Sequence, residues 1–243
     1  MPSEIAKGLI EAARSLTEVL GGLRFGPPVT HLYNPLRYAA AAHAEYLTRF
    51  GDSKKRVLFL GMNPGPYGMA QTGVPFGEVA AVRDWMGIEC AVARPENEHP
   101  KRPIQGFACA RSEVSGRRLW GFFGERFPRP EDFFRDHFVA NYCPLVWMEA
   151  SGRNRTPDKL PVSEREPVEA ACDAHLLKVV EWLDPEWVVG VGGFAEKRLE
   201  MISDRSGPRR RGRILHPSPA SPAANRDWAG TAHRQLKEQG IWG

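Results

Sequence analysis

The chain is predicted to fold as one three-layer α/β/α domain around a roughly four-stranded parallel sheet, and three observations carry that reading. Apolar runs of strand length alternate along the 243 residues with segments of helical spacing, the pattern of a parallel sheet covered by helices on both faces. The runs Val57-Leu58-Phe59-Leu60 and Trp187-Val188-Val189 are apolar throughout, as strands buried on both faces are. No repeat, low-complexity tract or linker-like stretch divides the sequence, so residues 1–243 read as a single domain.

Taken in order, Ser3 is placed to cap a helix with Ile5, Leu9, Ala13, Leu16 and Leu20 on one face, ended by Gly21-Gly22. A Pro-rich crossing, Gly26 to Pro35, leads to a second helix from about Leu36 to Phe50. The first strand is Val57 to Gly61, followed by the turn Met62 to Pro66. Glu78 to Met86 reads as helical, Glu89 to Ala110 as a long surface loop, and Gly116 to Phe127 as an aromatic-rich helix. Phe138 to Val146 reads as a second buried strand and Ser151 to Pro161 as a basic polar loop. A long helix from about Ser163 to Leu183 is expected next, with Ser163 and Glu166 in capping-box spacing. Trp187 to Gly193 is a third strand turning into the helix Phe194 to Ile202, Arg213-Ile214-Leu215 a fourth, and Ala223 to Gln239 the closing helix.

Composition narrows the function classes. Hydrophobic residues make up 42% of the chain, enough for a proper core. No apolar stretch approaches the roughly 20 residues that span a bilayer, and Met1 to Arg14 lacks the apolar block of a secretory signal; a soluble intracellular protein is expected. Cys90, Cys109, Cys143 and Cys172 form no close pair, so neither a metal centre nor any other cofactor is expected. The net charge of +4 permits a polyanionic partner. Basic clusters stand at Lys54-Lys55-Arg56, Arg117-Arg118, Arg153 with Arg155, and Arg209-Arg210-Arg211 with Arg213.

Three predicted strand ends carry polar residues in Pro/Gly-rich surroundings: Asn63, Asn141 and His216. With parallel strands all three can face one crevice at the carboxyl edge of the sheet, where ligands bind in open α/β folds. Phe76, in the rigid stretch Gly73 to Gly77, offers a fixed ring. An amide beside a fixed aromatic suits a flat, polar, uncharged ligand such as a nucleobase. Gly190-Val191-Gly192-Gly193 lacks dinucleotide-loop spacing, and neither a phosphate loop nor a nucleophile elbow occurs.

Three segments together resemble the single-strand-selective monofunctional uracil-DNA glycosylases: Gly61-Met-Asn-Pro-Gly-Pro-Tyr-Gly-Met-Ala-Gln-Thr-Gly-Val-Pro-Phe-Gly77, Asn141-Tyr-Cys-Pro-Leu145 and His216-Pro-Ser-Pro219. The likeness runs from about Tyr33-Asn34-Pro35 through Ser112-Glu-Val-Ser-Gly116 to Trp228, leaving the N-terminal helix, about 1–24, outside it. The resemblance implies hydrolysis of the glycosidic bond of a flipped uracil in DNA, leaving an abasic site. It implies that Asn63 positions the attacking water, Phe76 stacks on the base, Asn141 reads its Watson–Crick edge, Met62 adds backbone contacts and His216 stabilises the departing anion. Gly65 leaves room at the base's C5, so 5-substituted uracils such as 5-hydroxymethyluracil are expected substrates. No lysine in the motifs offers a Schiff base, which favours a monofunctional enzyme.

DNA contacts are expected from Pro217, Ser218 and Pro219, with Arg209, Arg210, Arg211, Arg213 and Arg226 supplying charge. One departure stands out: where the family commonly has a basic wedge after His-Pro-Ser-Pro, this chain has Ala220. A monomer is expected. The alternatives are a non-catalytic damage-binding module of the same fold, a glycosylase preferring hypoxanthine or xanthine, and a small-molecule nucleotide enzyme. The last would need the phosphate-cradling loop that the sequence lacks.

Overall fold

The computed structural model describes residues 1–207 and 209–243. Ser3 opens the first helix, its Oγ accepting from the Ala6 N–H at 3.1 Å. That helix, α1 (Glu4–Gly21), buries Ala6, Leu9, Ala13, Leu16 and Leu20. It is followed by β1 (Val29–Tyr33), α2 (Pro35–Tyr38), α3 (Ala40–Phe50), β2 (Val57–Gly61) and the short α4 (Met69–Thr72). Then come a π-helical turn at Ala81–Trp85, a 3-10 turn at Gly106–Ala108, α5 (Val114–Arg126), α6 (Pro130–Phe134), β3 (His137–Asn141), β4 (Val146–Glu149) and β5 (Asn154–Arg155). The chain ends with α7 (Val162–Leu183), β6 (Trp187–Val191), α8 (Gly193–Met201), α9 (Ser203–Ser206), β7 (Arg210–Ile214) and α10 (Pro222–Glu238).

The predicted parallel sheet forms with strand order β3-β2-β6-β7. Every residue of β2 and of β6 is buried, as expected of central strands between two helical layers. Helices α1, α3 and α7 pack together, and α5 packs on α10. The N-terminal helix is therefore part of the main core, not an appendage: Leu9, Leu16 and Leu20 belong to it. No helix among the described residues is long and apolar enough to cross a membrane.

Four expectations need correction. The run from Phe138 to Val146 is two strands, because Pro144 cannot donate to a ladder and the chain leaves the parallel sheet after Asn141. Its second part, β4, joins β1 and β5 in a separate antiparallel sheet, so the Pro-rich crossing and the basic loop each contribute a strand. Leu36 to Phe50 is broken at Ala39 into α2 and α3. Ser163 does not cap α7; Pro161 takes that position, and the neighbouring Glu164 accepts from the Gly26 N–H at 2.8 Å.

The free edge of the parallel sheet explains the arginine run. In β7 the residues Arg210, Arg211 and Arg213 are exposed while Gly212 and Ile214 are buried, and charge on an edge strand discourages pairing with another chain. Gln239 covers part of that edge, its amide bonding the Arg213 N–H and C=O at 2.8 and 2.9 Å.

Candidate active site

The site is set by the register of two neighbouring strands. Gly61, the last residue of β2, lies opposite Asn141, the last of β3. The ladder continues past both ends: Tyr142 N–H donates to Gly61 C=O and Cys143 N–H to Met62 C=O, each at 2.9 Å. Asn63 extends the pairing with its side chain, Nδ2 donating to Leu145 C=O at 3.2 Å. The segments 61–63 and 141–145 thus run side by side, which aims the amides of Asn63 and Asn141 at the same carboxyl edge of the sheet.

Phe76 joins them through an unusual backbone. Its φ of +52° is left-handed, rare for an aromatic residue. Neighbouring contacts hold it there: Thr72 Oγ1 donates to Gly77 C=O at 2.9 Å, and Glu78 N–H donates to Phe76 C=O at 2.7 Å. The ring packs against Gly61, where a Cβ would lie 2.4 Å from the ring and 2.5 Å from Asn141 Oδ1. Asn141 has hydrogen-bonding capacity to spare. Among the described residues its Nδ2 donates only to the Met69 thioether at 3.3 Å, a weak acceptor.

His216 follows β7 and closes the group, its ring centroid 6.1 Å from that of Phe76. Gly192, at φ +92°, lets the loop after β6 approach: a Cβ there would meet the Cβ of His216 at 2.9 Å. Burial holds the imidazole pKa below its ordinary value of 6.5, so at neutral pH the ring is uncharged and offers one N–H donor. Behind it, Arg118 bonds the C=O of Pro217 at 3.1 Å and Asn225 Oδ1 at 2.9 Å. Asn225 Nδ2 donates to Pro219 C=O at 2.8 Å.

Two residues that sequence reasoning passed over flank the Met62–Pro66 turn. Glu113, just before α5, places Oε1 3.4 Å from where a Cβ on Gly65 would stand, and Oε2 2.3 Å from that of Gly68. Burial, helped by the neighbouring Glu78, raises its pKa to about 7 against hydrogen bonds from Gly116 and Ser115. Asn154, in β5, donates to Pro64 C=O at 3.1 Å. The sequence signal for Glu113 was its place at the start of the Glu-Val-Ser-Gly segment. Asn154 gave none, because its strand forms only through pairing with β4.

The expected DNA-binding residues divide. Pro217, Ser218, Pro219, exposed Ala220 and exposed Arg226 lie with the His216 loop and the first turns of α10. Arg209 and Arg210 instead stand at the opposite edge of the sheet, since Arg210 pairs in register with Trp187, the first residue of β6. They are also engaged, Arg209 with Asp184 at 2.6 Å and Arg210 with Glu186 at 3.3 Å. Arg213 pairs with Glu196 at 2.9 Å, and Arg211 is an exposed edge residue. Three of the four arginines of the run thus make ion pairs, and Arg211 makes none among the described residues. Among the described residues no group of three or more His, Cys, Asp and Glu side chains is placed to hold a metal ion.

Comparison with known proteins agrees with this arrangement. The sequence profile of the Uracil DNA glycosylase superfamily matches residues 48–238. A Bos taurus protein described as a single-strand selective monofunctional uracil DNA glycosylase is 48% identical over 241 residues, covering 99% of this chain and 89% of the relative. A Rattus norvegicus protein of the same description is 49% identical over 238 residues, covering 98% and 86%. The crystal structure of wild-type Pedobacter heparinus SMUG2 superposes with a TM-score of 0.71 at 17% identity, covering 98% of this chain and 97% of that one, and so shares the fold. The chain belongs to the single-strand-selective monofunctional family of the uracil-DNA glycosylase superfamily.

Proposed function

We propose that this chain excises uracil from DNA by hydrolysing the bond between uracil N1 and the sugar C1′, leaving an abasic site in an uncut strand. It acts as a monomer and needs no metal or cofactor in this reading. The supporting observation is the convergence of Phe76 and Asn141 on Gly61, with the His216 ring centroid 6.1 Å from that of Phe76.

Duplex DNA hides the scissile bond, so the nucleotide must be extruded at a cost of a few kcal/mol, less in single strands. Phe76 offers the face on which the base stacks. Asn141 Oδ1 accepts from uracil N3–H while Nδ2 donates to O4. Cytosine reverses that donor–acceptor order, and an unmatched buried pair costs about 1–3 kcal/mol. Asn63 orients a water at C1′ through its amide but cannot take a proton at neutral pH. The barrier therefore falls chiefly on the leaving-group side. As C1′–N1 breaks, its electron pair passes into the uracil ring, and His216 N–H donates to the oxygen where the charge collects. The water oxygen bonds to C1′ and its proton passes to solvent. A donor of this kind is worth about 2.7–4 kcal/mol.

Gly65 admits a substituent at C5, up to the Glu113 carboxyl beyond it; 5-hydroxymethyluracil is accordingly a substrate, and thymine opposite guanine a poor one. The reading is tested with a labelled oligonucleotide carrying one uracil, incubated in EDTA and then treated with alkali. Strand breaks that need alkali are expected. They should fall on the order of a hundredfold in rate in His216→Ala. No product from the wild type, or a loss below about threefold in the variant, overturns it.

A further inference from the structure

Tyr67 follows the turn that carries Asn63, and two guanidinium groups converge on it. Arg102 Nη1 donates to the Tyr67 hydroxyl oxygen, and Arg111 Nη1 donates to the same atom at 2.6 Å. Both cations also lie against the ring, their Cζ atoms 5.4 and 5.1 Å from its centroid. Arg102 is fixed further by Nε donating to Gly152 C=O at 3.0 Å. Neither guanidinium has a carboxylate partner among the described residues, in contrast to Arg155, Arg198, Arg209 and Arg213.

The hydrogen-bond inventory of this trio is incomplete in one direction only. The phenol oxygen accepts twice, while its own O–H has no acceptor among the described residues. Each guanidinium has five N–H donors, and most of them here are unspent. The cluster therefore presents donors and positive charge, and lacks an acceptor that carries negative charge. Two like charges held on one hydroxyl repel each other, and an anion between them relieves that repulsion. Arg102 and Tyr67 are half-buried and Arg111 exposed, so the cluster is open to solvent.

We propose that Tyr67, Arg102 and Arg111 form a phosphate clamp that grips a phosphodiester of the DNA strand beside the extruded nucleotide. The fork geometry of arginine matches phosphate oxygens, and a contact of this kind sets register without reading sequence. The position suits that role. Tyr67 is four residues from Asn63, and the Gly152 carbonyl that steadies Arg102 is two residues from Asn154, which holds Pro64. The clamp also brings positive charge close to the turn that carries Asn63, whereas Arg209 and Arg210 stand at the opposite edge of the sheet. This inference rests on the glycosylase reading above.

The test measures the affinity of a single-stranded oligonucleotide carrying one tetrahydrofuran abasic analogue, across a salt series. Each phosphate contact adds about 0.7 to the slope of log K against log salt for single strands. Arg102→Gln and Arg111→Gln should each flatten the slope by about that amount and weaken binding roughly eightfold at about 50 mM salt. Tyr67→Phe keeps the ring and both charges but frees the guanidinium groups. It should weaken binding severalfold with the slope unchanged. A single methylphosphonate next to the lesion should cost the wild type as much as Arg111→Gln does, and cost that variant nothing more. Unchanged slopes in both arginine variants, with unchanged melting temperatures and wild-type uracil excision intact, overturn the clamp and leave the glycosylase standing. A wild type that neither binds nor excises overturns both.

Discussion

Gly61 and Phe76 are in contact across a space that no side chain at residue 61 can share. A Cβ there would stand 2.4 Å from the Phe76 ring and 2.5 Å from Asn141 Oδ1, both closer than real carbon contacts allow. The glycine that ends β2 is therefore what lets a ring and an amide converge at one strand end. Gly61→Ala is expected to push Phe76 or Asn141 out of place and to destabilise the fold by about 1–3 kcal/mol, as overpacking does. The excision rate should fall at least tenfold beyond what the loss of folded protein explains. Single-turnover kinetics with a parallel thermal melt checks this; a folded variant within twofold of the wild type contradicts it.

A second prediction concerns acid stability and His137. Its Nε2 accepts from Trp242 Nε1–H at 3.0 Å, so Nδ1 must carry the proton it shares with Phe133 C=O at 2.9 Å. Protonating Nε2 would set two donors against each other in a buried cluster, and burial lowers the pKa to about 4. The unfolded chain takes up a proton near pH 6.5 and the folded chain only near pH 4. Stability is then complete above pH 6.5 and falls as pH drops through that window, by about 1.4 kcal/mol per unit from this residue alone. His137→Gln keeps an acceptor for Trp242 and removes the titration. Urea midpoints at pH 7 and pH 5 should differ less in the variant than in the wild type by that slope.

Much of this was legible in the sequence, for physical reasons that particular residues make clear. Val57 to Leu60 and Trp187 to Val189 are apolar throughout because both faces of a central parallel strand are covered, so composition alone betrays them. The strand β5 has two residues and no apolar one, and β1 is buried only at Tyr33; each forms only through pairing with β4, a long-range event that local sequence does not record. Within the site, Asn63, Asn141 and His216 stood out as polar residues at strand ends. The arginine run preceding Ile214 read as a block of free charge because a sequence shows charges without their partners. Asp184, Glu186 and Glu196 engage three of those arginines, while Arg102 and Arg111, which converge on one tyrosine, were not clustered in sequence.

Arg118 gives a third prediction. Its two bonds, to Pro217 C=O and to Asn225 Oδ1, strap the loop that carries His216 to α5 and α10. Arg118→Met keeps the apolar stem and loses both. The single-turnover rate should fall about tenfold, equivalent to about 1.4 kcal/mol of misplaced donor. Asn225→Ala should cost less, and little more when added to Arg118→Met, because both act through the same strap. Arg118→Lys should recover part of the loss. A rate within twofold of the wild type in Arg118→Met would mean that the loop holds its shape without the strap.

The fourth prediction follows from Glu113, whose carboxyl lies beside the Gly65 turn with its pKa raised to about 7, chiefly by burial. Its sign is opposite to that of His137. The folded state holds the proton more tightly than the unfolded chain does, so the contribution to stability is complete below about pH 4.5. It is lost as pH rises toward 7, at about 1.4 kcal/mol per unit. Glu113→Gln, which stays neutral, should therefore gain on the wild type by about 3 kcal/mol between pH 4.5 and pH 8. The same ionisation places a negative charge at the pocket wall while a uracil anion is leaving, and like charges repel. The wild-type single-turnover rate should decline as pH passes 7, and the Glu113→Gln rate should stay level. His216, already neutral there, cannot produce that decline. A wild-type profile flat from pH 6.5 to 8.5, or a decline that persists in Glu113→Gln, would show that this carboxyl does not set the charge of the pocket.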